Sequence, residues 1–146
     1  RQAYLDQPIP EIGRVVMLAP PNGGSELVDK TRKIPGSDVM AGRALMQLGT
    51  DEDSIPAQLG PVDFEVGIVA GTGTINPILS AMLPDEDDGK VTVERTRLEG
   101  MTDFLIVEDN HHSIVKSDIV IRNTLAFLRT GAFVEADKSA ARAEDY

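Results

Sequence analysis

Gly13-Arg14-Val15-Val16-Met17-Leu18-Ala19-Pro20-Pro21-Asn22-Gly23-Gly24 is a short apolar, partly β-branched run that stops in a rigid loop. Such a run reads as a buried strand, because β-branched side chains suit a pleated backbone and the Pro-Pro pair cannot continue a hydrogen-bonded ladder. Its apolar residues are continuous rather than alternating, which predicts a strand covered on both faces, as in a parallel sheet. Two later stretches repeat the pattern. Phe64-Glu65-Val66-Gly67-Ile68-Val69-Ala70 closes at Gly71-Thr72-Gly73, and Asp103-Phe104-Leu105-Ile106-Val107 leads into Glu108-Asp109-Asn110-His111-His112-Ser113. Adjacent parallel strands are therefore expected over residues 15–19, 66–70 and 104–107.

The connections between these runs are long and partly helical, the mark of an α/β sheet with right-handed crossovers. Ser37-Asp38 is suited to cap a helix carrying Met40, Ala44, Leu45 and Leu48, ending near Gly49, whose apolar face would cover a core or a pocket. Residues 50–62 are polar and broken by Pro56, Gly60 and Pro61, a surface connection. Residues 85–90 form an acidic turn, and Val91-Thr92-Val93 alternates as a short edge segment would. A last helix begins at Ser117 or Asp118, with Ile121, Leu125 and Leu128 as its apolar stripe and Gly131 at its C-terminal cap. Residues 132–146 are expected to be a solvated tail, so residues 1–146 hold one domain.

Composition excludes several function classes. Lys and Arg total 14 against 24 Asp and Glu, and the net charge of -10 repels a phosphate backbone, so nucleic acid is not an expected partner. There is no cysteine, hence no disulfide, thiolate nucleophile or Cys-containing zinc site, and the compartment stays undetermined. The apolar runs at 15–21 and 66–70 are far shorter than the ~18 residues a membrane helix needs. The chain opens on Arg1-Gln2-Ala3-Tyr4 without Met, which fits an excised or trimmed piece.

In parallel sheets, ligands gather at the carboxyl ends of strands. Two polar clusters stand there: the acidic loop Asp85-Glu86-Asp87-Asp88-Gly89, some way after the second strand, and His111-His112, directly after the third. Neighbouring strands lie about 4.8 Å apart, so loops at adjacent strand ends converge. A carboxylate placed there can accept the imidazole Nδ1–H, fix the tautomer and stabilise the imidazolium formed when Nε2 takes a proton from a nucleophile. Other chemistries fit less well. A calcium loop with Gly89 in sixth place would put Pro84 first and Arg95 twelfth, where carboxylates are needed. Gly71-Thr72-Gly73-Thr74-Ile75-Asn76 lacks the last glycine of a dinucleotide fingerprint, and no P-loop lysine follows, so no cofactor is indicated. A metal site of the two histidines with Asp109 is not specified by any spacing.

Read in order, 14–26, Gln58-Leu59-Gly60-Pro61-Val62-Asp63-Phe64, Gly67-Ile68-Val69-Ala70-Gly71-Thr72 and Asp88-Gly89-Lys90-Val91 resemble the α/β-hydrolase superfamily, within it bacterial lipase-like and esterase-like serine hydrolases. The resemblance covers nearly the whole chain. It implies the C-terminal part of an α/β-hydrolase fold, with three parallel strands matching the sixth, seventh and eighth of that sheet and flanking helices. It implies Asp88 as the triad acid and His111 as the triad histidine, Asp87 being the second candidate acid and a one-residue shift selecting His112. Residues 28–61 match the lid or cap, and Asn22, Gly23 and Gly24 a loop beside the pocket. The implied substrate is a small-molecule or lipid ester.

One part of the pattern is missing. No Gly-x-Ser-x-Gly elbow occurs, since Gly23-Gly24-Ser25-Glu26-Leu27 has Leu27 where the strained turn needs glycine, and Ser25 reads better as the cap of a helix starting at Glu26. Residues 1–6 resemble the end of the helix that follows the elbow. The chain alone is thus expected to be inert, and a sheet cut beside its sixth strand would expose an edge open to self-association. The competing expectation is a non-catalytic, hydrolase-like interaction domain.

Overall fold

In the computed structural model, which describes residues 1–36, 42–73 and 87–134, the three apolar runs are strands. They are β1 (Val15–Leu18), β2 (Val66–Gly71) and β3 (Asp103–Val107). All pair in parallel in the order β1-β2-β3, with Val15 opposite Val66 and Gly67 opposite Asp103. β2, hydrogen-bonded on both sides, is buried at every position, whereas β1 is only half-buried and stands at one edge among the described residues.

Six helices are described: α1 (Gln2–Asp6), α2 (Glu26–Arg32), α3 (Arg43–Met46), α4 (Ile55–Gln58), α5 (Val93–Thr96) and α6 (Asp118–Thr130). Alternation along the strands divides the core. Val66 and Ile68 join Leu98 on one face, with Val15, Met17, Phe64 and Phe104 around them. Val69, Leu105 and Val107 meet Val120 and Phe127 of α6 on the other. The Arg14 guanidinium donates to the carbonyl of Arg129 at 3.0 Å, satisfying an orphan acceptor at the end of α6, and Gly131 takes the left-handed cap conformation (φ 82°).

Several expectations change at this level. The stripe Ile121, Leu125 and Leu128 faces outward, and α6 instead buries Val120, Asn123 and Phe127. Asn123 is tolerated inside because its side chain bonds Ile119 and accepts from the amide of Val134. That last contact belongs to a return of the chain over the sheet: Phe133 is buried, its ring centroid 5.1 Å from that of Phe127 and its amide donating to Asp103 at 2.8 Å. Phe133 is therefore packed, although it falls within the expected tail, and residues 135–146 of that tail lie outside the described residues. The helix expected from Ser37 is represented by the short α3, with Ala44 and Leu45 exposed, while Ser37, Asp38 and Met40 lie outside the described residues. Val91-Thr92-Val93 is no edge strand, since Thr92 makes a single antiparallel bridge to Asp87 and Val93 opens α5. No helix among the described residues is long and apolar enough to cross a membrane.

Candidate active site

The loop after β3 is built by side chains bonding their own backbone. Asn110 Oδ1 accepts the amides of His112 and Ser113 at 2.9 and 3.0 Å, and the Ser113 hydroxyl donates to Asp109 at 2.8 Å. Ile114, 1% exposed, then anchors the following 3₁₀ turn (Ile114–Lys116) in the core. The loop lies on the end of β2, where the Gly73 amide donates to the Asp109 carbonyl at 3.0 Å. A Cβ at Gly71 would stand 2.3 Å from that same carbonyl oxygen, so only glycine admits this approach.

The acidic loop is folded with similar economy. Asp87 accepts the amide of Gly89 at 2.6 Å, while one oxygen of Asp88, Oδ1, accepts the amides of Lys90 and Val91, both at 3.0 Å. Its other oxygen, Oδ2, lies 2.7 Å from His111 Nδ1, and the His111 amide donates to the Asp88 carbonyl at 2.9 Å. The Asp88 side chain is 1% exposed and that of His111 29%. With Oδ1 engaged by two amides and Oδ2 facing Nδ1, His111 in its Nδ1–H tautomer is held to Asp88 at two points, its ring and its backbone amide. Asp87, also buried, turns its carboxylate to Gly89, and His112 is exposed with its ring 6.2 Å from that of His111. Of the sequence candidates, Asp88 and His111 are brought together; Asp87 and His112 do not take that contact.

The loop after β1 is stitched to the segment that follows the acid. Asn22 donates to the carbonyl of Thr96 at 2.9 Å, Gly23 exchanges hydrogen bonds with Arg95, and Arg95 pairs with Glu26 at 2.7 Å. Ser25 occupies the cap position of α2 but makes no side-chain cap; its hydroxyl donates to the carbonyl of Lys90 at 2.8 Å. These ties were not readable in the sequence, because each joins residues some 65 or more apart that carry no shared motif.

Beside the dyad is a cavity of about 300 Å³, lined among others by His111, Ser25, Val28, Leu45, Leu48 and Val91. Its wall from α3 is fastened to α2: Asp29 accepts the amide and hydroxyl of Thr50 at 3.1 and 2.6 Å, and Arg32 bonds the carbonyl of Met46 and the carboxylate of Asp51. The hydrogen bond from Arg32, opposed by partial desolvation, holds the Asp51 carboxyl below its ordinary range. Among the described residues no group of three His, Asp or Glu side chains gathers as a metal site.

The three-stranded parallel sheet with flanking helices matches the α/β-hydrolase fold. Two solved structures share it. The mature form of Bacillus licheniformis lipase BlEst2 superposes with a TM-score of 0.56 at 19% identity, over 84% of this chain and 56% of that one. Its propeptide form gives 0.62 at 19% identity, over 86% of this chain and 31% of that one. The chain thus spans little more than half the length of the mature lipase and about a third of its propeptide form. No family model matches the sequence, and no curated protein matches it either.

Proposed function

We propose that this chain supplies the acid and the histidine of a serine hydrolase acting on esters or lipid-like acyl compounds. The observation that carries the reading is the 2.7 Å contact between Asp88 Oδ2 and His111 Nδ1, made by a carboxylate buried to 1% beside an apolar cavity. In that tautomer Nε2 keeps its lone pair. It takes the proton of an attacking serine hydroxyl, the imidazolium is stabilised by Asp88, and the same proton passes to the leaving alkoxide when the tetrahedral intermediate collapses. No Gly-x-Ser-x-Gly occurs in these 146 residues, so the nucleophile comes from another segment and the chain by itself is inert.

The test has two arms. The gene is read upstream of Arg1 for a Gly-x-Ser-x-Gly elbow, and p-nitrophenyl ester hydrolysis is measured for the 146-residue chain and for the whole encoded protein. Turnover by the whole protein, blocked by a serine-directed phosphonate, is the expected result. Turnover by the chain alone that survives the phosphonate and disappears in His111→Ala would assign a different nucleophile and overturn the mechanism.

A second reading, a hydrolase-like scaffold that associates with a partner, is favoured by Ile121, Leu125 and Leu128, exposed on the helix that packs over the edge strand β1. An elbow upstream together with turnover decides against it; sedimentation showing stable self-association without turnover decides for it.

A further inference from the structure

The last residue of β2 carries no side chain, and both loops of the Asp88–His111 pair press on the place where one would be. A Cβ at Gly71 would stand 2.3 Å from the Asp109 carbonyl oxygen and 3.0 Å from Asp88 Cβ, so one methyl group would meet the histidine loop and the acid loop at once. Two residues on, the nearest neighbours of a Cβ at Gly73 would all belong to the histidine loop, the Asp109 carbonyl carbon at 2.8 Å and the Asn110 nitrogen at 2.9 Å among them. Neither glycine has a positive φ, so what these positions require is room and not a left-handed backbone.

We propose that Gly71 is a positioning residue for the pair, with Gly73 sharing the seat of the histidine loop: the absent side chain lets both loops settle against the end of β2 at backbone distance, and this sets the 2.7 Å approach of Asp88 Oδ2 to His111 Nδ1. The catalytic consequence rests on the hydrolase reading above; the geometry does not. An added methyl group moves the two loops unequally. A real Cβ essentially never makes a contact under 3.0 Å, so the Asp109 carbonyl must retreat and His111, two residues on, moves with it, whereas Asp88 Cβ need give only a few tenths of an ångström. The Asp88 carboxylate is also pinned by the amides of Lys90 and Val91. β2 does not take up the difference, because it is hydrogen-bonded to β1 and β3 and buried at every position. The displacement therefore falls between the carboxylate and the imidazole.

Gly71→Ala, Gly73→Ala and Gly67→Ala are compared in the 146-residue chain by the imidazole ¹⁵N shifts and the Nδ1–H proton of His111, with urea unfolding as the measure of stability. Gly67 lies in the same strand, but a Cβ there would meet Phe133 and Phe127, so its variant reports what disturbed packing alone does. Gly71→Ala should abolish the protected Nδ1–H signal and move the ring nitrogens toward a mixture of tautomers, while Gly67→Ala loses stability and changes neither. In the whole encoded protein Gly71→Ala should lower kcat by about 10²-fold with KM little changed, the effect of a misplacement of about 1 Å. Imidazole shifts in Gly71→Ala identical to those of the unsubstituted chain, or equal changes in Gly67→Ala, overturn the proposal. If Gly71→Ala does not fold, Gly73→Ala decides: moved His111 shifts support the seating of the loop on the strand end, and unmoved ones overturn it. The shifts need no turnover, so the two readings fail separately. Shifts that move in a protein hydrolysing no ester keep the role of Gly71 and remove the hydrolase reading. Ester turnover equal in Gly71→Ala and the unsubstituted protein, with unmoved shifts, does the reverse.

Discussion

The hydroxyl of Ser25 donates to the carbonyl of Lys90 at 2.8 Å, joining the loop after β1 to the turn that holds Asp88. The amide of Lys90 and that of Val91 bind Asp88 Oδ1, so Ser25 acts on the carboxylate through one peptide unit. Its own amide donates to Leu48 at 2.9 Å, which ties the cavity wall to the same point.

Ser25→Ala leaves the Lys90 carbonyl without its donor. Because Lys90 is exposed, water recovers part of the loss, and the expected destabilisation is about 1 kcal/mol, the low end for an orphaned acceptor. Urea unfolding measures it. A second readout separates positioning from mere stability: the downfield Nδ1–H proton of His111, protected by Asp88, should exchange faster with water in the variant. An unchanged exchange rate would leave Ser25 a packing residue.

Asp88→Asn tests the dyad more directly. The amides of Lys90 and Val91 claim the remaining side-chain oxygen, so the new NH₂ faces His111 Nδ1, donor against donor. The ring relieves this by moving its proton to Nε2, which ¹⁵N chemical shifts of the imidazole report in the 146-residue chain. In a protein that also carries the serine, this wrong tautomer should lower turnover by about 10⁴ with the fold intact. Imidazole shifts identical to those of the unsubstituted chain would mean that Asp88 does not select the tautomer.

The strands were legible because burial on both faces forces continuous apolar runs, a local signal that β1, β2 and β3 all carry. The meeting of the acid loop and the histidine loop followed from adjacency of β2 and β3. The orientation of α6 was not legible. Ile121, Leu125 and Leu128 and the set Val120, Asn123 and Phe127 both satisfy helical spacing, and the second set contains the polar Asn123. Which set turns inward depends on Phe133 folding back and on the Val134 amide reaching Asn123, contacts outside the helix itself. Likewise Ser25 looks like a cap at the level of a few residues and becomes a tether only when residue 90 arrives beside it.

The Arg32–Asp51 pair predicts a pH dependence. The folded-state carboxyl is depressed, so its contribution is present above the unfolded value of about 3.9 and is lost as pH falls through the lower folded value. The pair is solvent-exposed, so the effect is small and fades with salt. Urea midpoints of the chain and of Asp51→Asn should differ at pH 6 and converge as the pH falls below the ordinary Asp range. A difference that persists undiminished in acid would assign it to something other than this ion pair.

Gly67 in β2 faces the packed rings of α6 and the returning chain. A Cβ there would stand 2.7 Å from Phe133 Cζ and 2.8 Å from Phe127 Cδ2, closer than carbon atoms tolerate. Two effects oppose each other in Gly67→Ala. Alanine restricts the unfolded chain, worth about 0.4–1 kcal/mol in favour of folding, but overpacking a closed core costs about 1–3 kcal/mol. Overpacking should win, because Phe127 is fully buried and Phe133 is held by its amide bond to Asp103. Phe133→Leu shortens the obstructing side chain, so the double variant should be more stable than the sum of the single changes by about 0.5 kcal/mol or more. Urea unfolding of the four proteins gives the coupling. Strict additivity would mean that the sheet itself shifts to admit the methyl group, and that the Phe127–Phe133 pair does not set the spacing between β2 and α6.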